Sequence, residues 1–167
     1  MKWLTKLLDG LYSTIKYICI VVFGVSVLLG IAQVLSRYVF GFSFPTSEEI
    51  NRFLFVWVVM LGSALVMRDK SHAAITIVVM YVPEFLSRIF RSFVYIVSVG
   101  FLGLLVYQGW KMTIITHIQP AAASGIPMSY AYFAIPTGAF FMLIFALEMC
   151  YKEFFGNSEN FIGEGSS

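Results

Sequence analysis

Long stretches without a formal charge are the feature that most constrains this chain. The 20 residues of Tyr17–Ser36, between Lys16 and Arg37, carry no charged side chain. A helix needs roughly 20 predominantly apolar residues to cross the hydrocarbon core of a bilayer. Because 59% of the 167 residues are apolar and only 12% are charged, about half the charged share of a soluble domain, we predict an all-α integral membrane protein.

Four transmembrane helices account for the apolar runs within a single membrane domain, residues 1–167. The run between Arg52 and Arg68 holds only 15 residues, so its helix must begin earlier. Thr46 and Glu49 have the spacing of a capping box, which puts that start near residue 47. The predicted spans are 17–38, 47–68, 86–110 and 127–150.

Prolines mark the ends and one interior point of the last two spans. Pro83 and Glu84 suit a first helical turn, because proline needs no backbone donor there and an acid favours the positive end of the helix dipole. The fourth span is expected to begin near Pro127. Pro136 then falls inside that span and should bend it, since it removes one helical hydrogen bond.

Basic residues are distributed unequally between the two sides that this topology defines. Eight Lys and Arg residues fall on the side of the termini and three on the other side. The positive-inside rule therefore predicts that both termini are cytoplasmic in a multi-pass protein of the bacterial inner membrane. The eight are Lys2, Lys6, Lys16, Arg68, Lys70, Arg88, Arg91 and Lys152, and the three are Arg37, Arg52 and Lys111.

Two further segments are expected to lie along the membrane surface. Apolar residues recur at helical spacing over residues 2–15, which is typical of an interfacial amphipathic helix, although the same pattern fits a cytoplasmic extension of the first span. Residues 73–83 are too few to cross a bilayer and cannot stand as an open strand in lipid. An interfacial or partner-covered helix is predicted there.

Reactive groups that could form an active site are missing from the spans. No metalloprotease, nucleophile-turn, haem-ligand or phosphate-loop motif occurs, and His72 and His117 fall on opposite sides of the predicted membrane. The span centres near Leu28, Met60 and Phe101 hold no acid or base, which is unusual for a self-sufficient transporter. We predict no catalytic, substrate-binding, cofactor or metal site and no nucleic-acid partner, and therefore an accessory subunit.

Residues at the helix ends and small residues inside the spans are candidates for structural or interface roles. Arg52 could pair with Glu48 or Glu49 on one helical face, or extend outward to the membrane surface. Glu49 and Arg52 could also stabilise a charge on a partner. Gly62 belongs to a small-residue cluster that suits close helix contact in lipid. Such contact could lie within the bundle or against a partner, and the sequence leaves both open.

Short elements lie in a characteristic order and spacing across all four spans. They are Arg37-Tyr38-Val39-Phe40, Ser47-Glu48-Glu49-Ile50, Trp57, Gly62, Arg68, His72, Gly125-Ile126-Pro127-Met128-Ser129-Tyr130 and Ile135-Pro136-Thr137-Gly138. Taken together, over roughly residues 17–148, they resemble the small membrane subunit of a tripartite ATP-independent periplasmic (TRAP) transporter.

The resemblance implies roles for this chain and its partners. In that family a periplasmic binding protein delivers an organic acid to a complex of a small and a large membrane subunit, and a sodium gradient drives uptake. The large subunit holds the substrate and sodium and moves like an elevator, so this chain would be its static scaffold among membrane lipids. Glu49 would start the second span, Trp57 and Gly62 would pack it, and Arg68 with His72 would form its cytoplasmic end.

The resemblance is weaker in two respects. Members often carry an aspartate shortly after the histidine, where this chain reads Ala73-Ala74-Ile75-Thr76, which puts the role of that segment in doubt. The chain as a whole is similar to small subunits of sialic acid transporters, with C4-dicarboxylates as the alternative substrate. A stand-alone four-helix carrier or channel and an orphan scaffold are the other functions left open.

Overall fold

The computed structural model describes residues 2–79 and 84–155, and the side chains of residues 6–69 and 93–150. These residues form five α-helices and no strand. Four helical segments of the described chain are long and apolar enough to cross a membrane, which confirms the predicted all-α class with four spans. The helices are α1 (Lys2–Val39), α2 (Pro45–Val79), α3 (Glu84–Thr116), α4 (Ser129–Tyr132) and α5 (Ala134–Phe155).

Helix α5 lies at the centre of the bundle and α1 lies at its edge. In the spanning segment that contains α5, 44% of the most apolar stretch is buried within the bundle, whereas none of the corresponding stretch of α1 is buried. Helix α5 packs against both α2 and α3, whereas α2 is the only helix of the described chain that the backbone of α1 approaches. Most of the apolar surface of α1 therefore faces outward.

Three helices are longer than the predicted spans. Residues 2–15 continue into the first span as one helix, α1, which at 1.5 Å per residue is about 57 Å long. Ile15 in this part is only 2% exposed, because it packs within the bundle. Helix α2 likewise runs through residues 73–79, while residues 80–83 of the predicted interfacial segment lie outside the described residues.

The extra length has a simple physical cause. A charged side chain ends an apolar run but does not end a helix, since the backbone hydrogen bonds continue on either side of the lipid. Helix α3 passes Lys111 and ends at Thr116, six residues after the predicted end. The ammonium of Lys111 lies 4.5 Å from the ring centre of Tyr107, one turn earlier.

Pro136 interrupts the fourth spanning segment. The helical pattern breaks at Phe133, between α4 and α5, so Pro136 falls in the first turn of α5 instead of its interior. Proline cannot donate a hydrogen bond and its ring crowds the carbonyl four residues earlier, which is that of Tyr132. The hydroxyl of Thr137 donates to the Phe133 carbonyl at 2.8 Å and strengthens the restarted helix.

The two ends of the bundle carry different connections. The loop end, residues 40–44 and 117–128, joins α1 to α2 and α3 to α4. The terminus end holds the starts of α1 and α3 and the ends of α2 and α5. Nearer the terminus end, a small core of Ile15, Leu61, Ala64 and Phe145 joins α1, α2 and α5.

Candidate functional site

At the loop end, Glu49 binds the loop between α3 and α4. Its Oε2 atom accepts hydrogen bonds from the backbone N–H of Ala123 at 3.2 Å, and from the backbone N–H and hydroxyl of Ser124, both at 2.7 Å. The hydroxyl of Thr46 donates to the Ala123 carbonyl at 3.2 Å. The start of α2 therefore holds a turn that lies more than 70 residues later in the chain.

These contacts replace the predicted capping box, which was wrong. Helix α2 begins at Pro45, so Thr46 is already its second residue, whereas a capping box needs that residue just before the helix. The Phe44 carbonyl instead accepts from the backbone N–H groups of Ser47 and Glu48. Thr46 and Glu49 are thus left free to bind the loop.

The loop itself is a short hairpin built around the predicted residues Gly125 and Pro127. Ala121 donates to the Ile126 carbonyl at 2.9 Å, and a bridge pairs Pro120 with Pro127. Gly125 has a φ of +69°, a backbone conformation that glycine adopts at no steric cost. A glycine at this position closes the turn that Glu49 binds.

Trp57 connects α2 to the start of the fourth spanning segment. Its indole N–H donates to the Tyr130 carbonyl at 3.1 Å, and its ring lies 6.2 Å from that of Phe133. Trp110 of α3 approaches Phe133 at the same distance. Trp57 thus packs on Phe133 and also satisfies a carbonyl near the break in the helix.

A groove lies beside these aromatic rings on the outside of the bundle. It encloses about 430 Å³ and is lined mainly by apolar surface. The only hydrogen bond between its lining side chains in the described chain joins His117 Nδ1 and the Ser129 hydroxyl, at 3.1 Å. The groove is lined by Trp110, Thr113, Ile114, His117, Ser129, Tyr130 and Phe133.

At the terminus end, Arg68 joins three helices. Its Nη2 atom lies 2.6 Å from Asp9 Oδ1 of α1, and its Nε lies 3.2 Å from Glu148 Oε2 of α5. The side chains of Arg68 and Glu148 are only 15% and 5% exposed, whereas that of Asp9 is 67% exposed. The pair with Glu148 is therefore the desolvated one, where loss of a partner costs most.

Aromatic rings complete the Arg68 cluster. The guanidinium carbon lies 5.1 Å from the ring centre of Tyr12 and 5.4 Å from that of Phe145, within the range of cation–π attraction. The Tyr12 hydroxyl donates to Asp69 Oδ2 at 2.8 Å. The cluster ties α1 to a pair of helices, α2 and α5, that already pack on each other.

Gly109 and Gly138, to which the sequence assigned no packing role, bring helix backbones together. A Cβ added at Gly138 would lie 2.6 Å from Met60 Cβ and 3.0 Å from the Met60 backbone, and one at Gly109 would lie 3.0 Å from the Pro136 ring. A Cβ at Gly62 meets nothing within 4 Å. Of the two readings left open for Gly62, close contact within the bundle is therefore wrong.

Other predicted site residues lie outside these contacts. Arg52 is exposed, and in the described part of the chain no ion pair joins it to Glu48 or Glu49, so the predicted pairing is absent. The backbone of His72 lies in α2, but its side chain is outside the described residues. Among the described side chains of residues 6–69 and 93–150, no three His, Cys, Asp or Glu residues are grouped as metal ligands.

The missed partners Asp9, Ser124 and Glu148 carried little signal. Asp9 and Glu148 are acids at the edges of apolar runs, and charges in such positions could have been matched to Arg68. Ser124 belongs to a short run of small residues, and nothing in its spacing from Glu49 predicts contact.

The sequence matches a family of transport proteins over most of its length. A model of the family described as tripartite ATP-independent periplasmic transporters, DctQ component, matches residues 26–156. The matched region runs from within α1 through α5.

Individual relatives come from Haemophilus influenzae. Two from strain ATCC 51907 / DSM 11121 / KW20 / Rd are named TRAP transporter small permease proteins. One is 27% identical over 151 residues, 89% of this chain and 92% of the relative, and the other is 27% identical over 122 residues, 73% and 76% of the two. A third, from strain 86-028NP and named sialic acid TRAP transporter permease protein SiaT, is 30% identical over 143 residues, 86% of this chain but only 22% of the relative.

Proposed function

This chain belongs to the DctQ component family of tripartite ATP-independent periplasmic (TRAP) transporters, and from that membership we propose that it is the small membrane subunit of a sodium-coupled importer. The family match over residues 26–156 carries the proposal. The charges of the described spans support it, because they lie towards the ends of the spanning segments, as with Glu49, Arg68 and Glu148. A subunit without midplane charge suits an accessory role.

We propose a carboxylic acid as the imported substrate, and sialic acid as the first candidate. Support comes from the longer relative named as a sialic acid TRAP transporter permease, to which 86% of this chain is similar. A C4-dicarboxylate is the alternative. The substrate and sodium would be bound by the large permease, since the described side chains of the spans form no group of metal ligands.

The chain would form the static part of an elevator complex. Close backbone contact of α5 with α2 at Gly138 and with α3 at Gly109 favours a rigid body, and the Arg68 cluster joins α1 to it. A rigid block of this kind suits a scaffold against which a moving domain slides. Lipid would cover much of α1, and a periplasmic binding protein would deliver the substrate.

We further propose that both termini lie in the cytoplasm of a bacterial cell, with the protein in the inner membrane. The distribution of Lys and Arg supports this orientation. Periplasm-active and cytoplasm-active reporters fused after Ser43, Asp69 and Glu153 will test it. We expect periplasmic activity at Ser43 and cytoplasmic activity at the other two positions, and periplasmic activity after Glu153 would overturn the orientation.

Uptake by proteoliposomes tests the proposed function itself. Vesicles with this chain alone should show no sodium-driven uptake of sialic acid or dicarboxylate, and neither should vesicles with both membrane subunits but no binding protein. Uptake should appear when the large permease and the binding protein are both added. Uptake by this chain alone would contradict the proposal and favour a stand-alone carrier.

A further inference from the structure

One side of α2 is largely exposed in the described part of the chain. Side chains exposed along this helix recur every three or four residues, so they form one stripe along its length. Phe55 is 63% exposed, Val59 45% and Val66 53%. We call this surface the open stripe, and it consists of Arg52, Phe55, Val59, Gly62, Ser63 and Val66.

The open stripe exists because the neighbours of α2 leave a gap. Asn51 faces α1, where its Oδ1 accepts from the Ser26 hydroxyl at 2.6 Å. Met60 faces α5 at Gly138. At 100° per residue, Asn51 and Met60 lie on opposite sides of α2. The open stripe lies on one of the two arcs between them, and the buried Leu61 lies on the other arc. Side chains of α1 and α5 close that opposite arc only.

Two features of the open stripe are unlike an ordinary lipid-facing surface. Arg52 lies about 10 Å along α2 from Pro45 at 1.5 Å per residue, in an apolar span where a charge is costly without a partner. Gly62, in contrast, leaves a shallow place at the edge of the stripe nearer α1, and a Cβ there would meet no atom of the described chain within 4 Å. Small residues at such places let a second helix approach closely in lipid.

The longer relative indicates which class of protein provides that helix. A region similar to 86% of this chain makes up 22% of a protein named a TRAP transporter permease. There the similar region shares one polypeptide with a much larger remainder, so in that relative the two parts belong to one molecule. The occupant favoured for the open stripe is therefore the large permease.

We propose that the open stripe of α2 is the surface on which a helix of the large permease packs, with a bulky apolar side chain over Gly62 and a carboxylate opposite Arg52. This inference rests on the proposed function and specifies its interface. The partner helix need not provide a hydrogen-bond acceptor for the Ser63 hydroxyl, because this hydroxyl already donates to the Val59 carbonyl at 2.7 Å.

Binding of purified large permease to this chain in nanodiscs tests the interface. Gly62→Ile should lower the affinity about tenfold, because the added side chain holds the helices apart. Arg52→Glu should lower it to a similar extent by placing two acids together, while Arg52→Lys should retain most of the binding. Gly100→Ile is the matched control, since a Cβ at Gly100 on α3 also meets nothing within 4 Å.

Folding is checked separately by thermal unfolding of the isolated chain, which Gly62→Ile and Gly100→Ile should leave unchanged or slightly raised. If the wild-type chain binds and both Gly62→Ile and Arg52→Glu bind as tightly, the stripe is not the interface, although the proposed function stands. Equal weakening by Gly100→Ile also overturns the assignment. No binding by the wild-type chain would overturn the proposed function itself.

Other occupants give distinct results in the same samples. Loss of a homodimer on Gly62→Ile, measured by analytical ultracentrifugation, with unchanged binding of the permease, would assign the stripe to a second copy of this chain and overturn the proposal. A monomer whose binding is insensitive to every substitution on the stripe would leave the surface to lipid and overturn it as well.

Discussion

The closed and open sides of α2 differ in what they contact. On the closed side, Leu61 and Ala64 are 4% and 0% exposed, and Arg68 pairs with acids of two other helices. On the open side, Phe55 and Val66 are more than half exposed, and Arg52 pairs with no acid in the described residues. Each side carries an arginine and apolar residues, so composition alone does not separate them.

The difference separates residues that hold this chain together from residues that are available to another. Among the positions that match the family pattern, Trp57 and Arg68 make contacts inside the chain, whereas Gly62 does not. Substitutions on the closed side should therefore change the stability of the isolated chain. Those on the open side should not destabilise the isolated chain and should change mainly its association with a partner.

The largest effect is expected at Arg68. Arg68→Gln removes the cation that faces the buried Glu148 carboxylate, and breaking a desolvated pair costs about 3–5 kcal/mol. We expect a fall of that size in the free energy of unfolding of the chain in detergent. Arg68→Lys keeps the charge but not the forked geometry that contacts Asp9 and Glu148 together, and should lie between.

Arg52→Gln provides the matched comparison, because it makes the same substitution on the open side. The isolated chain should change by no more than about 0.5 kcal/mol, as for an exposed residue without special contacts. Equal losses for Arg52→Gln and Arg68→Gln would remove the distinction between the two sides.

Alanine at Gly138 of α5, which faces α2, and at Gly62 of α2 should give the next largest difference in stability. Gly138→Ala places a Cβ 2.6 Å from Met60 Cβ and 3.0 Å from backbone atoms, so helices must shift, and overpacking of this kind costs about 1–3 kcal/mol. Gly62→Ala meets no atom and should stabilise the helix slightly, because alanine has the higher helix propensity. Thermal unfolding of both variants checks the contrast, and an undisturbed Gly138→Ala would show that α2 and α5 do not touch as described.

A smaller and more local effect is expected at the loop end. Glu49→Ala removes the acceptor of three hydrogen bonds from Ala123 and Ser124, so the amides of this turn should exchange with solvent several-fold faster. The melting temperature of the chain should fall less than for Arg68→Gln, since the contact is on the surface. Glu48→Ala is the control, and hydrogen exchange of the turn is measured by mass spectrometry. Equal exchange rates in the two variants would refute the role of Glu49.

The number of spanning helices could be predicted from sequence because apolar length decides it. Their ends could not, since α3 passes Lys111 and α2 continues past Arg68 without any break in the backbone pattern. The sequence predicted that Pro136 disturbs the fourth span. It did not predict that Pro136 lies in the first turn of α5, because that depends on where α4 ends.

Contacts between distant residues were beyond a single sequence. Glu49 binds a turn more than 70 residues away, and the local capping pattern suggested a different partner for it. Small residues at helical spacing indicate that another helix can pack closely on them. They do not indicate whether that helix belongs to the same chain or to a partner. Gly62 was selected and is open, while Gly109 and Gly138, which make the close contacts, differ from it only in where their helices face.

Spin labelling at Val59 tests most directly the claim that the large permease packs on the open side of α2. A nitroxide on Val59→Cys, with Cys19 and Cys150 replaced by serine, should be mobile and accessible to oxygen in the isolated chain, and should become immobilised when the permease is added. A label at Phe101→Cys on α3, where the native side chain is 60% exposed, serves as the reference. An unchanged Val59 spectrum in a complex that has demonstrably formed would contradict the account.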